Sequence, residues 1–370
     1  MNPPFSLNTP HINHTLDRCL RSSKQQVEST LNKRHLSYHD LPVLLSPAAQ
    51  SYLEEMAQRS HSLSIQRFGR TMQLFIPLYL SNECHNTCTY CSFSQSFDYP
   101  RHTLSSDEIH QECELLQKKG FKQILLLTGE APKSVDADYI AKAAQIAKGY
   151  FSSVGIEVQP LEQSDYKTML SHGCDSLTVY QETYHPDAYK RHHLYGKKRR
   201  YEYRLQTPER AAKAGMYKIN LGILLGLSEW RFDAVALAEH LHFLQTHYWQ
   251  THYSVSFPRI KGMIGDYQAA IECNDKDLVQ LITAFRLIFP DIGITLSTRE
   301  PATLRSQLIP LGITTMSAES NTSPGGYSGQ DEQSQFDISD HRNLEEIQSE
   351  LAQKGYHVMH KNWEYCYSDA

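Results

Sequence analysis

Residues 78–95 read LYLSNECHNTCTYCSFSQ, which sets Cys84, Cys88 and Cys91 at separations of four and three. Thiolates are soft ligands for zinc and iron, and the neighbours Asn82, Glu83, Asn86 and Thr87 are polar and loop-forming rather than core-forming. A structural zinc site takes four ligands, commonly from paired knuckles. No second CxxC follows in this chain, although His85 stands where it can complete a zinc set. Three thiolates on a four-iron cluster leave one iron without a protein ligand, and that iron is open to a small molecule. The residues alone leave both readings standing.

A metal loop of this kind needs a scaffold. Residues 1–70 read as polar helices, with a Ser46-Pro47 start before a helix-period run. From residue 74 short apolar, β-branched runs appear: LFIPLYL (74–80), QILLLTG (123–129), VGIEVQP (154–160), SLTVYQE (176–182), KINLGILLG (218–226), HYSVSFPR (252–259), GITLSTR (293–299) and TTMSAES (314–320). Amphipathic segments such as SSDEIHQECELLQKKG and FDAVALAEHLHFLQTHY separate most of them. Near-continuous apolar strands alternating with helices predict a parallel sheet covered on its outer face. Eight such units fit an α/β fold of the closed (β/α)8, TIM-barrel type; a doubly wound open sheet is the competing layout. The expected division is a helical extension at 1–70, the barrel at 71–320 and a closing segment at 321–370. That last segment begins with the Gly/Ser/Gln-rich loop NTSPGGYSGQDEQSQ (321–335).

Polar residues gather at the C-terminal ends of these strands, the face where barrel active sites lie. They are Cys84 to Cys91, Thr128-Gly129-Glu130, Gln159, Gln181-Glu182-Thr183, Arg259, Arg299-Glu300 and Glu319-Ser320.

The bulk numbers narrow the class. The 370 residues carry 40% hydrophobic and 21% charged residues, as a globular protein with a large core does. A net charge of −5 gives no support to nucleic-acid or membrane-surface binding, and no run of eighteen apolar residues predicts a membrane span. The start MNPPFSLNTPHINHTLDRCL lacks a basic and then apolar leader. Five of the eight cysteines are scattered singly, which does not read as a disulfide framework; a reducing, cytoplasmic setting is expected. Cys19, Cys113, Cys174 and Cys273 read as helix or core residues.

The C-x3-C-x2-C spacing, with Tyr90 just before the last cysteine, resembles the radical S-adenosylmethionine (SAM) superfamily. That resemblance implies a [4Fe-4S] cluster on Cys84, Cys88 and Cys91, whose open iron chelates SAM and whose reduction splits it to a 5′-deoxyadenosyl radical. Thr128-Gly129-Glu130 is similar to the GGE-like motif of the superfamily, with Thr in place of the first Gly. YQETYHPDAYKRHHLYGKK (180–198), YRLQTPERAAKAGM (203–216), LSTREPATLR (296–305) and TTMSAESNTSPGGYS (314–328) resemble its aromatic-amino-acid lyase branch, most closely the tyrosine lyases of thiamine biosynthesis. By that resemblance Tyr90, Thr128, Gly129, Glu130, Gln159, Glu182 and Arg204 hold SAM, with Arg204 on its carboxylate. Gln181, Thr183, Arg259, Arg299, Ser317, Glu319 and Ser320 face the substrate, with Arg299 or Arg259 on its carboxylate. Against these, His192, His193 and the run Lys197–Arg200 read as solvated surface, and Arg210 as a helix-surface ion pair.

The implied reaction is Cα–Cβ scission of tyrosine to p-cresol and 2-iminoacetate. The implied partners are a thiazole synthase subunit and a reduced flavodoxin or ferredoxin. Tryptophan lyases, deazaflavin cofactor synthases and the hydrogenase-maturation tyrosine lyases are the related alternatives. The last of these carry a second cluster on a C-terminal CxxC, whereas only Cys366 follows residue 330 here. The non-enzyme alternative is a zinc-stapled barrel acting as a scaffold.

Overall fold

The first helices carry their own caps. Asn8 accepts a hydrogen bond from the backbone of His11 at the head of α1 (Thr9–Leu20), and Ser23 with Gln26 closes a capping box on α2 (Lys24–Leu31). Ser46-Pro47 starts a 3-10 turn, Pro47–Tyr52, which leads into α3 (Leu53–Phe68). The proline costs nothing there, because the N–H it lacks has no helical partner at a first turn. The computed structural model describes residues 3–262, 267–269, 271–329 and 332–360; Cys366 lies outside them.

Each apolar run becomes a strand: β1 (Thr71–Ser81), β2 (Gln123–Thr128), β3 (Ser153–Glu157), β4 (Ser176–Glu182), β5 (Lys218–Ile223), β6 (His252–Ser256), β7 (Gly293–Leu296) and β8 (Thr315–Ser317). All neighbours pair in parallel and in chain order, and β8 returns to β1 in the register Gln73↔Thr315 to Phe75↔Ser317. That last ladder closes the barrel and rules out the open sheet. Six of the runs end sooner than their apolar character suggests, and Gln159, Arg259, Arg299 and Ser320 already stand in the loops beyond their strands. Polar side chains there leave the ladder to form the mouth of the barrel.

Helices α4 (Ser106–Lys118), α5 (Ala137–Lys148), α6 (Gln163–Ser171), α7 (Thr207–Ala214), α8 (Trp230–His247), α9 (Asp275–Ile288) and α10 (Ala302–Leu308) follow β1 to β7 in turn. A parallel strand can be reached only by such a crossover. α8 and α9 are apolar around most of their circumference, which a helix with one wet face does not tolerate. The reason is a second cover: α1 packs on α8 and α3 on α9. Phe5 stacks on His240 of α8 at 4.3 Å, and its backbone N–H donates to Glu209 at 2.7 Å. Cys19, Cys113, Cys174 and Cys273 are all buried in this framework.

After β8 the chain loops over the barrel mouth, forms α11 (Leu344–Gln353) and ends its described course in β9 (His357–Met359), which adds to the lower edge of β1. This short strand has no signal in the sequence, because three residues carry no usable periodicity. The loop is tied down by a fully buried pair, Arg305–Asp340, in which Arg305 also donates to the Ser317 carbonyl. Burial works to raise the Asp340 carboxyl, but Arg342 and Arg305 outweigh it and hold it down at about 2.

Replacing Arg305 by leucine leaves Asp340 buried with Arg342 alone. The expected loss is about 3 kcal/mol, measured as a lower urea midpoint at unchanged slope. Because the folded Asp340 is depressed, its contribution is full above the ordinary aspartate value of about 3.9 and is lost as pH falls through that range toward 2.

Candidate active site

The cysteine loop leaves the top of β1 and folds back over β2. Gly129 donates to the Ser81 carbonyl at 3.0 Å, and His85 donates to the Glu130 carbonyl at 2.9 Å. A Cβ on Gly129 would lie 2.1 Å from the Glu83 carbonyl oxygen and 3.1 Å from the Cys84 Cβ, so only glycine lets the loop seat here. Arg101 braces the other side, donating to the carbonyls of Asn82, Phe93, Ser94 and Phe97 at 2.8–3.0 Å while its guanidinium lies 4.0 Å over the Tyr99 ring. Thr87–Cys88 pairs antiparallel with His193–Tyr195, which pins the loop to the segment after β4.

Of the three thiols that result, Cys88 is buried and Cys84 and Cys91 are half-buried. Burial pushes Cys84 up to about 11 and raises Cys88 and Cys91; Lys198 opposes the rise at the last two. Cys84 and Cys88 each lie close enough to Cys91 to feel its charge. Asn86 donates toward the Cys84 sulfur at 3.8 Å and Gln335 toward the Cys91 sulfur at 3.7 Å. No group of three or more His, Cys, Asp or Glu side chains among the described residues is gathered for a single metal ion. Three soft donors on one loop, with Cys84 and Cys88 near enough to feel the Cys91 charge yet not gathered on one point, suit a cluster in which each thiolate takes its own iron. They do not fit a lone tetrahedral ion.

Beside the thiols lies a buried quartet of charges. Arg204 donates to Glu130 at 2.8 Å and stands 3.7 Å from Glu182, while Lys198 meets Glu182 at 2.7 Å. Asn86 donates to the second Glu130 oxygen at 2.8 Å, and the Arg204 Nε donates to the Tyr180 carbonyl at 2.7 Å. Burial alone raises the Glu182 carboxyl; Lys198 and Arg204 reverse that and hold it below its ordinary range. Glu182 sits at φ 70°, just past a register shift between Tyr180 and Glu182 in the β4–β5 ladder. A left-handed non-glycine residue at a bulge costs of order 1–3 kcal/mol, and here it turns the carboxylate toward the mouth of the barrel.

Two spaces open from this quartet. A cavity of about 800 Å³ is bordered by Asn86, Glu130, Gln159, Lys198, Tyr203 and Arg204. The barrel lumen holds two smaller adjoining spaces of about 80 and 70 Å³; Glu157, Tyr180, Arg299, Gln335 and Phe336 border both, and Tyr90, Cys91 and Glu182 border the second. Arg299 lies with its guanidinium 3.4 Å over the Phe336 ring and has no carboxylate partner within ion-pair distance among the described residues. Ser317 accepts from the Thr298 backbone at 3.0 Å at the lumen wall. Thr128 Oγ1, Gln159 Oε1, Gln181 Nε2 and Ser320 Oγ are buried without a hydrogen-bond partner. Each is a polar atom for which a bound molecule has work. Tyr90 is held by a 2.7 Å hydrogen bond between its hydroxyl and His193.

Four of the expected substrate residues do not border the lumen spaces. Gln181 lies off both, with its amide nitrogen buried and unpartnered. Arg259 is committed to Glu300 and Asp275. Thr183 bonds Ser228 and Asp233 in a closed buried cluster, each at 3.0 Å. Glu319 points out of the barrel wall to Lys119 and the Leu344 backbone. Thr315 and Ser317 face the lumen, so alternation alone would bring Glu319 inward; its left-handed φ of 48° breaks the pattern. The surface readings of His192, His193 and Lys198 also give way: both histidines are buried in the clip behind the cysteine loop, and Lys198 turns in to Glu182. Arg210 has no ion pair among the described residues; it donates to the Leu161 and Tyr203 carbonyls and stacks on Tyr203 at 3.9 Å.

The structure adds Asn86, Arg101, Glu157, Lys198 and Gln335. Glu157 had a signal, since it stands two residues before Gln159 on the same strand face. Burial, then Glu182, pushes its carboxyl up to about 7 against Arg299, Lys198 and Arg204. Gln335 had none: it reaches Cys91 across 244 residues from within the polar loop.

Comparison with known proteins agrees with this geometry. Residues 78–238 match the radical SAM superfamily model, and residues 256–357 match the biotin and thiamin synthesis associated domain. The chain is 47% identical over 340 residues to 2-iminoacetate synthase of Salmonella typhimurium and 46% identical over 340 residues to that of Escherichia coli; each alignment covers 91% of this chain and 90% of the relative. The crystal structure of HydG, a maturase of the [FeFe]-hydrogenase, superposes with a TM-score of 0.90 at 28% identity, over 98% of this chain and 81% of that one. The chain belongs to the radical SAM superfamily and, within it, to the 2-iminoacetate synthase family.

Proposed function

We propose that this protein is a radical SAM carbon–carbon lyase that cleaves the Cα–Cβ bond of L-tyrosine, yielding p-cresol and 2-iminoacetate, with SAM converted to methionine and 5′-deoxyadenosine. 2-Iminoacetate supplies the thiazole moiety of thiamine. The observation that carries this reading is identity of nearly one residue in two with 2-iminoacetate synthases, sustained over nine-tenths of both chains. The hydrogenase maturase shares the fold at 28% identity and ranks second as a guide to the reaction.

Membership of the superfamily implies a [4Fe-4S] cluster and SAM. When bound and reduced, that cluster supplies the electron that opens the sulfonium of SAM and so starts radical chemistry. Cys84, Cys88 and Cys91 are the ligands in this reading, supported by their closeness on one loop and by the donors Asn86 and Gln335 at the sulfurs. Glu130 and Arg204 have opposite charges to offer the amino and carboxylate groups of SAM. Thr128 and Gln159 have unused polar atoms beside them, Tyr90 and Glu182 stand on the lumen side, and Gly129 gives the close backbone approach.

Arg299 takes the tyrosine carboxylate, since its guanidinium is free of carboxylates and planar for bidentate binding. Ser317 and Ser320 complete the polar side of the substrate from the lumen wall. Glu157 takes the proton from the substrate ammonium, because a carboxyl poised near neutrality accepts one at working pH. The closed lumen keeps water from the imine product.

A thiazole synthase subunit as receiver of that product and a reduced flavodoxin or ferredoxin as electron donor complete the proposal, in the cytoplasm. No described helix is long and apolar enough to cross a membrane. The same reading divides the chain into a helical extension (1–70), the catalytic barrel (71–320) and a closing segment (321–370).

The first test is anaerobic turnover with reductant, SAM and tyrosine, followed by chromatography. Both 5′-deoxyadenosine and p-cresol are expected, and Cys88→Ala is expected to abolish both along with the broad brown absorption of iron–sulfur. A colourless protein with stoichiometric zinc overturns the proposal.

Arg299→Met should raise the KM for tyrosine about a hundredfold, the cost of one charge-assisted bidentate contact. 5′-Deoxyadenosine should continue to form without matching p-cresol.

The turnover rate should rise with pH through about 7 as Glu157 loses its proton. In Glu157→Gln that inflection should vanish while SAM affinity, read by equilibrium binding, stays the same.

A further inference from the structure

The clip that pins the cysteine loop has an exposed outer side: Lys190, Arg191 and Leu194 stand clear of the large cavity, while Tyr195, Lys197, Arg199 and Arg200 also border its rim. Leu194 and Tyr195, 52% and 63% exposed, project from the strand His193–Tyr195, whose other members pair with the loop as Cys88↔His193 and Thr87↔Tyr195. Two large apolar side chains in a row on an exposed two-stranded ribbon bury nothing in the isolated chain, and water contact over that area is unfavourable.

They are ringed by cations. Lys190 and Arg191 end the helix Pro186–His192 on one side, and Lys197, Arg199 and Arg200 follow on the other, all exposed. None has a carboxylate within ion-pair distance among the described residues, although the protein as a whole is acidic at −5. Residues 190–200 contain six Lys and Arg and no Asp or Glu. Asp136, Glu162 and Asp165 border the large cavity elsewhere in its lining, and none of them pairs with a cation of the clip among the described residues.

The clip is also rigidly placed. Gly196, at φ 93°, packs so closely on the cysteine loop that a Cβ would lie 2.1 Å from the Asn86 Oδ1 and 2.6 Å from the His85 carbonyl oxygen. Thr89 donates to the His192 carbonyl at 3.1 Å. The patch is therefore one strand spacing, about 5 Å, from the backbone of Cys88.

The geometry points to the outer side of this clip as the docking surface for a small acidic one-electron carrier protein. The inference rests on the proposed cluster and deepens that reading by naming where its electron enters. An acidic carrier is steered by the five exposed cations and seats an apolar rim on Leu194 and Tyr195. One electron leaves the carrier, oxidising it by one, and one electron reduces the cluster on Cys84, Cys88 and Cys91; no proton or covalent bond moves in that step. Through Thr89, Cys88 and the paired strand the path from the patch to the cysteine loop is short.

The test uses the cluster-loaded enzyme, an acidic flavodoxin as probe, and two variants outside the cavity: Lys190→Glu with Arg191→Glu, and Leu194→Ser. Binding of the flavodoxin is measured by calorimetry across a range of ionic strength, and turnover is measured with the flavodoxin and, separately, with dithionite. The charge reversal is expected to weaken binding about tenfold at low salt and to flatten its salt dependence. Leu194→Ser should weaken binding with the salt dependence kept. Dithionite-driven turnover should stay at the wild-type level in both, which shows that the fold and cluster are intact. Unchanged flavodoxin affinity in both variants overturns the docking surface, as does equal loss of a thiazole synthase partner or of anionic vesicles with no loss of flavodoxin. Absence of p-cresol with dithionite overturns the tyrosine reading instead, and leaves the binding measurement to decide the surface.

Discussion

Four charges with almost no water around them hold this site together. Glu130, Arg204, Glu182 and Lys198 come from the ends of β2 and β4 and from the segment between β4 and α7, and each is needed to offset the burial of its neighbours. An unpaired charge at such a position costs several kcal/mol, so the three chain segments are locked into one arrangement. Asn86 extends the lock to the cysteine loop by bonding Glu130, the Lys198 backbone and the Cys84 sulfur at once. The same electrostatics prepares a place for a zwitterion. In the proposed function, the amino and carboxylate groups of SAM would exchange with members of the quartet without leaving a charge uncompensated.

The lumen carries a second balance of the same kind on a smaller scale. Glu157 and Arg299 sit in the barrel with opposite charges, but without a direct ion pair between them or to others. Burial leaves the Glu157 carboxyl near neutrality rather than fully ionised. A barrel interior is ordinarily filled by apolar layers. Here the upper layer holds Tyr180, Glu157 and Arg299 around open space, and the stability lost there is recovered in the outer shell, where α1 and α3 add a second cover to α8 and α9. Scaffold and site thus divide the labour, with the apolar shell specifying the fold and the strand ends left free for strained and charged residues.

The two halves of the site are supplied from opposite ends of the chain. The cysteine loop belongs to the first strand, yet Gln335, in the loop after the eighth, accepts from Tyr79 and donates toward Cys91. Closure of β8 on β1 brings those segments together. The Arg305–Asp340 pair then keeps the closing loop on the mouth of the barrel and β8 in place beneath Ser317.

The sequence by itself determined the fold class and the position of the site on it. Eight apolar runs separated by amphipathic helices can bury their strands only as a covered parallel sheet, and the polar residues had to collect at the strand ends. The thiol spacing was equally legible, since three cysteines within eight residues lie in one loop whatever the fold does. What tertiary structure decided was direction. Arg259 and Arg299 look alike at the ends of adjacent strands, but Glu300 and Asp275 occupy the first and only Phe336 meets the second. Lys198 is indistinguishable in the sequence from Lys197 and Arg199, yet it alone turns inward to Glu182, because Gly196 carries the backbone over the cysteine loop at that point. A side chain's partner depends on the burial and charge of residues far away in the chain, and neither quantity is local.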